Sequence, residues 1–187
     1  MIFGNKIALS CRLGTKAVVI GLLLAAVRGC LAQNIHLDSA GARLGFYPVG
    51  AARNFHQAEA FANWDLPWNW ELGSSFQLRS RVDASAGWIG EYSANAGIAT
   101  LGPSLVLGRK AFPLSIECGV SPTLLTRSDF LTKDFGTLFQ FTSHGGINFD
   151  VGKHVRLNYR FQHMSNADLS RHNPGLNLHM FGLSYLF

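Results

Sequence analysis

The chain has 187 residues, with 16 Lys or Arg against 11 Asp or Glu and a formal charge of +5. That length allows one domain with a real core, or one small barrel. Four of the basic residues (Lys6, Arg12, Lys16, Arg28) and no acidic one fall in the first 32 positions, leaving 12 against 11 beyond them, so the basic balance is no evidence for nucleic-acid binding.

The first 32 residues read as a secretory signal peptide. A positive start leads into an apolar centre from Ala17 to Val27, too short to span a bilayer as a helix. Cleavage is expected near Ala32, ahead of Gln33. A lipoprotein reading would instead make Cys30 the first mature residue, and Arg28 suits that poorly. Of three cysteines only Cys118 lies beyond the signal, so the mature chain can form no internal disulfide.

Alternation dominates the remaining stretch, 33–187, which reads as one domain. From Trp70 to Trp88 the even positions are largely apolar, with a Trp at each end, while the odd ones include Arg79, Arg81 and Asp83. From Phe112 to Leu124 the even face is apolar and the odd face carries Ser115, Glu117, Ser121 and Thr123. From Thr137 to Asp150 the odd face holds Phe139, Phe141, Ile147 and Phe149. A coarse division gives eight strands, near 37–48, 54–66, 70–88, 94–108, 111–124, 136–150, 153–165 and 176–187.

A soluble sandwich alternates too, so other features must decide. Charges recur on the polar faces of long strands, as in a barrel lumen. Trp64, Trp68, Trp70 and Trp88 cluster at strand ends, as interfacial girdles do, and the chain ends in the alternating "FGLSYLF". At roughly 9–11 residues per spanning strand, the chain accommodates eight. An even antiparallel count closes the sheet without a free edge, which lipid demands. The expected fold is all-β, an eight-stranded antiparallel transmembrane β-barrel in the bacterial outer membrane. Arg79, Arg81, Asp83 and Glu117 should form a charge network in its lumen, and "DVGK" (150–153) reads as a periplasmic turn.

The seventh strand poses the functional question. In "KHVRLNYRFQHMS" the odd positions Val155, Leu157, Tyr159, Phe161, His163 and Ser165 share one face, and Arg156 and Arg160 lie on the other. His163 and Ser165 thus fall on the apolar, lipid-facing side near the outer leaflet. On the last strand Asn177 has the same outward phase, and residues 166–176 form the connecting hairpin. A serine hydroxyl needs a base to take its proton and a third group to hold that base. His163, Ser165 and Asn177 are the candidate catalytic set, and N–H groups of Asn166 could meet the oxyanion.

The segment "HMSNA" at 163–167, followed by "NPGLN" at 173–177 and an aromatic-ended last strand, resembles the PagL-type lipid A 3-O-deacylases. Those are eight-stranded outer-membrane barrels with a serine-hydrolase site on the outer wall, which cleave the ester-linked acyl chain at the 3-position of lipid A. The resemblance implies His163 as base, Ser165 as nucleophile, and Asn166 with Asn173 as oxyanion helpers. It also implies lipid A of lipopolysaccharide as substrate. The family's third triad member is a Glu; its position here is held by Asn177, and Asp168 is the acid that could substitute.

Other residues invite plainer readings. Arg171 could meet lipid A phosphates, although a loop arginine is more often simply solvated. His172 and His179 lack carboxylate or Cys companions at ligand spacing, so no metal, and no other cofactor, is implied. A homodimer is compatible with the sequence. The competing function is a non-catalytic eight-stranded barrel with a structural or adhesive role.

Overall fold

A computed structural model describes residues 35–48 and 54–187. The expected signal peptide, 1–32, lies outside them. Eight strands run β1 (His36–Phe46), β2 (Phe55–Leu72), β3 (Phe76–Glu91), β4 (Ala94–Arg109), β5 (Leu114–Leu125), β6 (Phe139–Val151), β7 (Val155–Ser165) and β8 (Leu176–Leu186). Each pairs antiparallel with its sequence neighbours, and β8 returns to β1 to close the barrel.

Alternate side chains point to opposite faces of a strand, and the barrel shows it directly. β7 is buried at Arg156, Asn158, Arg160, Gln162 and Met164 and open at the odd positions between them. The outer wall is apolar, with Leu157, Phe161, Phe181, Leu183, Ile147 and Phe149 all exposed. A closed sheet turned apolar-out and polar-in is what a hydrocarbon solvent requires.

The interior has two layers. At the end bearing the β7–β8 hairpin, Phe55, Ile89, Leu125, Phe135, Met164 and Leu178 form a dry cluster. Phe135 is not on a strand; the 126–138 connection folds over the mouth and delivers it. Below lies a charge network of Arg81, Asp83 and Glu117 as expected, whereas Arg79 pairs instead with Asp65 at 2.8 Å. Arg81 pairs with Asp83 at 2.7 Å and Glu117 at 2.6 Å, Arg160 reaches Glu117 at 2.7 Å, and Arg43 meets Glu59 at 3.0 Å.

One boundary differs from the sequence reading. The run from Trp70 to Trp88 is two strands, because β2 continues through Trp70 to Leu72 and a turn at 73–75 separates it from β3. Leu72 and Phe76 are four apart, so the outward phase survives the turn and alternation alone does not reveal it. Gly73, at φ 69°, supplies the left-handed residue.

Candidate active site

β7 and β8 are bonded so that His163 lies directly opposite Asn177, one rung above Phe161 and His179. Ser165 follows on the same face, opposite Phe141 of β6. Two strand residues separate their Cα atoms by about 7 Å, within reach of an imidazole leaning along the strand.

Cross-strand pairing puts the side chains of His163 and Asn177 in contact, with Nδ1 and Oδ1 2.7 Å apart. The amide oxygen can only accept, so the proton belongs to Nδ1 and Nε2 keeps its lone pair. That is the tautomer a base beside Ser165 requires. His163 is exposed and Ser165 half-buried, both on the apolar exterior.

The hairpin beyond Ser165 turns at once. Leu169 N–H donates to Asn166 O at 3.1 Å, with Ala167 at φ 50° and Asp168 at φ 61° between them. Positive φ at both central residues marks a type I′ turn, unusual without glycine and tolerable for Asp. Backbone outliers of this kind recur at functional sites.

Asn166 is fully buried, and its N–H groups are engaged. Its side-chain amide donates to Phe135 O at 2.8 Å and His172 O at 2.6 Å, and its backbone N–H donates to Asn173 Oδ1 at 3.0 Å. Asn173 Nδ2 in turn donates to Asp168 Oδ1 at 3.0 Å, which leaves one amide hydrogen over. Asp168 thus accepts from Asn173, while the imidazole nitrogen Nδ1 has Asn177 as its partner. The N–H groups of Ala167 and Asp168 make no hydrogen bond among the described residues. Arg171 projects from the hairpin, exposed, and His172 is exposed beside it. His179 Nδ1 lies 2.8 Å from the hydroxyl of Tyr159 on the outer wall.

Sequence reasoning missed two neighbours. Gly175, at φ 57°, lies so close to His163 that a Cβ there would stand 2.9 Å from Cε1 and 3.6 Å from Nε2. Lys133, from the 126–138 connection, donates to the carbonyls of Pro174, at 3.3 Å, and Gly175. The glycine stood in the quoted "NPGLN"; nothing local in "LTKDFG" marks the lysine.

A recess of about 540 Å³, lined by Trp68, Pro103, Leu105, Cys118 and Val120, lies elsewhere on the barrel and includes none of these groups.

A family model described as "Lipid A 3-O-deacylase (PagL)" matches residues 56–186. The chain is similar to "Lipid A deacylase PagL" of Bordetella bronchiseptica (strain ATCC BAA-588 / NCTC 13252 / RB50), 35% identical over 72 residues. That alignment covers 38% of this chain and 40% of the relative's length. Among solved structures, the barrel is similar to the "Crystal structure of the outer membrane enzyme PagL" with a TM-score of 0.70 and 17% identity, covering 80% of this chain and 99% of that one.

Proposed function

The chain belongs to the lipid A 3-O-deacylase (PagL) family, and on that footing we propose that it is an outer-membrane serine esterase that removes the 3-O-linked acyl chain from lipid A. In this reading residues 1–32 are a signal peptide that directs export. The observation that carries the mechanism is the 2.7 Å contact of His163 with Asn177 on the face that also bears Ser165.

Ser165 Oγ attacks the ester carbonyl and gives its proton to His163 Nε2. The carbonyl oxygen becomes an oxyanion, met by the remaining amide hydrogen of Asn173 and the N–H groups of Ala167 and Asp168. Asn166 supports that side by holding Asn173 Oδ1. Collapse expels the sugar oxygen, which takes the proton from Nε2, and leaves the acyl chain on Ser165. Water, deprotonated by the same nitrogen, then releases a 3-hydroxy fatty acid and restores the serine. Placement on the outer wall suits a substrate that never leaves the membrane. Arg171 would meet its phosphates at the hairpin rim. The same reading accommodates a homodimer, which light scattering in detergent would detect.

Purified lipid A incubated with the refolded protein should lose one 3-hydroxyacyl group by mass spectrometry. Ser165→Ala should abolish this while the unboiled protein still migrates as a folded barrel on a gel. Wild-type turnover by Ser165→Ala would remove Ser165 as the nucleophile, and no acyl loss with the parent protein would return the chain to the non-catalytic barrels.

A further inference from the structure

We propose that Lys133 is a positioning residue of this same site, holding the backbone against which the imidazole of His163 rests. The proposal depends on the reading of Ser165 and His163 as nucleophile and base.

Lys133 sits on the long β5–β6 connection, 30 residues or more from His163, Ser165 and the hairpin, yet it is only 6% exposed. A buried ammonium needs acceptors, and two of those used here are consecutive carbonyls of the catalytic hairpin, Pro174 O and Gly175 O. These carbonyls flank the α-carbon of Gly175. That carbon stands against the edge of His163 formed by Cε1 and Nε2. Since Nδ1 is engaged by Asn177, this is the edge that must take the proton of Ser165.

The lysine is itself firmly based. Thr132 donates to Glu91 through its N–H, at 2.9 Å, and through its hydroxyl. Glu91 closes β3 and is fully buried. Phe130 N–H donates to Lys133 O at 2.7 Å, closing a turn, and Phe135 anchors the far side of the connection in the dry cluster. A chain of contacts therefore runs from the rim of β3 through Thr132 and Lys133 to Gly175 and the imidazole. The hairpin's other tie, from Asn166 to Phe135 O and His172 O, acts at the Ser165 end. Lys133 governs the opposite strand of the hairpin. Together the two ties fix serine and histidine relative to one another.

The test compares Lys133→Met with the parent protein, refolded in detergent and acting on purified lipid A. A misplacement of about 1 Å can cost about 100-fold in rate. The expected result is a kcat lower by about 10–100-fold, with KM within about twofold. Rescue separates positioning from mere stability. Lys133→Cys in a Cys118→Ser background, alkylated while unfolded with 2-bromoethylamine and then refolded, regains an ammonium on a stem of near-native length. It should recover most of the lost kcat, whereas the same variant capped with iodoacetamide should not. This pair also decides the matter if Lys133→Met does not fold.

Ser165→Ala runs in parallel. If it is inactive while Lys133→Met keeps the parent kcat, the positioning role is overturned and the esterase stands. A loss confined to KM would equally overturn it, making Lys133 a substrate contact. So would folded aminoethylated protein no faster than the iodoacetamide form. If Ser165→Ala turns over normally, the reading of Ser165 as nucleophile has itself failed.

Discussion

The hydrogen bond between His163 and Asn177 shows what an amide can and cannot do at this position. An amide oxygen orients the ring and selects the tautomer with a free Nε2, as a carboxylate would. It carries no charge to stabilise the imidazolium that the proposed attack would form. It also has an NH2 group, and rotation of the amide would offer Nδ1 a donor and place the proton on the wrong nitrogen. In a soluble serine protease, exchanging the carboxylate for an amide costs about 10⁴-fold, largely through the tautomer. Asn177→Asp keeps the 2.7 Å geometry, removes the second orientation and adds the charge. It should raise kcat on lipid A by about tenfold or more. Asn177→Glu should act in the same direction if the longer side chain fits, and Asn177→Leu should lower kcat by about 10–100-fold. Unchanged rates in all three would remove Asn177 from the site. At this scale the sequence was informative wherever parity applied. His163, Ser165 and Asn177 share the outward phase of their strands, and the structure keeps it. The burial and partners of Asn166 were opaque because it is the first residue past the end of β7, where alternation stops, and Phe135 is 31 residues away.

The β7–β8 hairpin makes its own demands on the chain. Ser165 must end β7 while Leu176 begins β8 just ahead of Asn177, so ten connecting residues have to return with little slack. Gly175 answers two requirements at once. Its φ of 57° is a conformation that disfavours a side chain by roughly 1–2 kcal/mol, and a Cβ would press on His163 Cε1 at 2.9 Å. Backbone strain would be spread over the hairpin, whereas the contact falls on the imidazole of His163. Gly175→Ala should therefore lower kcat by about 10–100-fold, while the fall in the urea midpoint reflects no more than the roughly 1–2 kcal/mol of backbone strain. Kinetics and unfolding measured on one preparation would separate the two effects. A variant that loses stability but keeps kcat would mean that the imbrication with His163 relaxes freely. The strands themselves were legible from their period, and their ends were less so. Leu72 and Phe76 preserve parity across the 73–75 turn, so one apparent run of alternation contained two strands. The fold of the 126–138 connection was not legible at all, because it depends on Glu91 and on the mouth of a closed barrel.

The wall of the barrel separates the proposed chemistry from the charged lumen. His163, Ser165 and Asn177 are outside, while the strands that carry them hold Arg160 and Met164 inside. The charged residues of the lumen could be read from the sequence as a set, but their partners could not, since closure alone decides which strands face one another. Glu117 is the hub. It accepts from Arg81 at 2.6 Å, from Arg160 at 2.7 Å and from Asn148 at 2.9 Å, with all four side chains buried. Removing one member of such a cluster leaves the others desolvated and unpaired, and breaking a buried pair this way costs about 3–5 kcal/mol. Glu117→Leu fills much of the same volume, so the loss would come from the orphaned guanidinium groups of Arg81 and Arg160 and not from a cavity. The urea midpoint in lipid vesicles should fall accordingly. Deacylation per folded molecule should stay close to the parent value, because Arg160 lies on the inward face of β7 and the hairpin ties from Asn166 and Lys133 do not pass through Glu117. A large fall in kcat at full folding would show that the lumen network sets the geometry of the outer wall. An unchanged midpoint would show that water entering the lumen solvates the freed arginines.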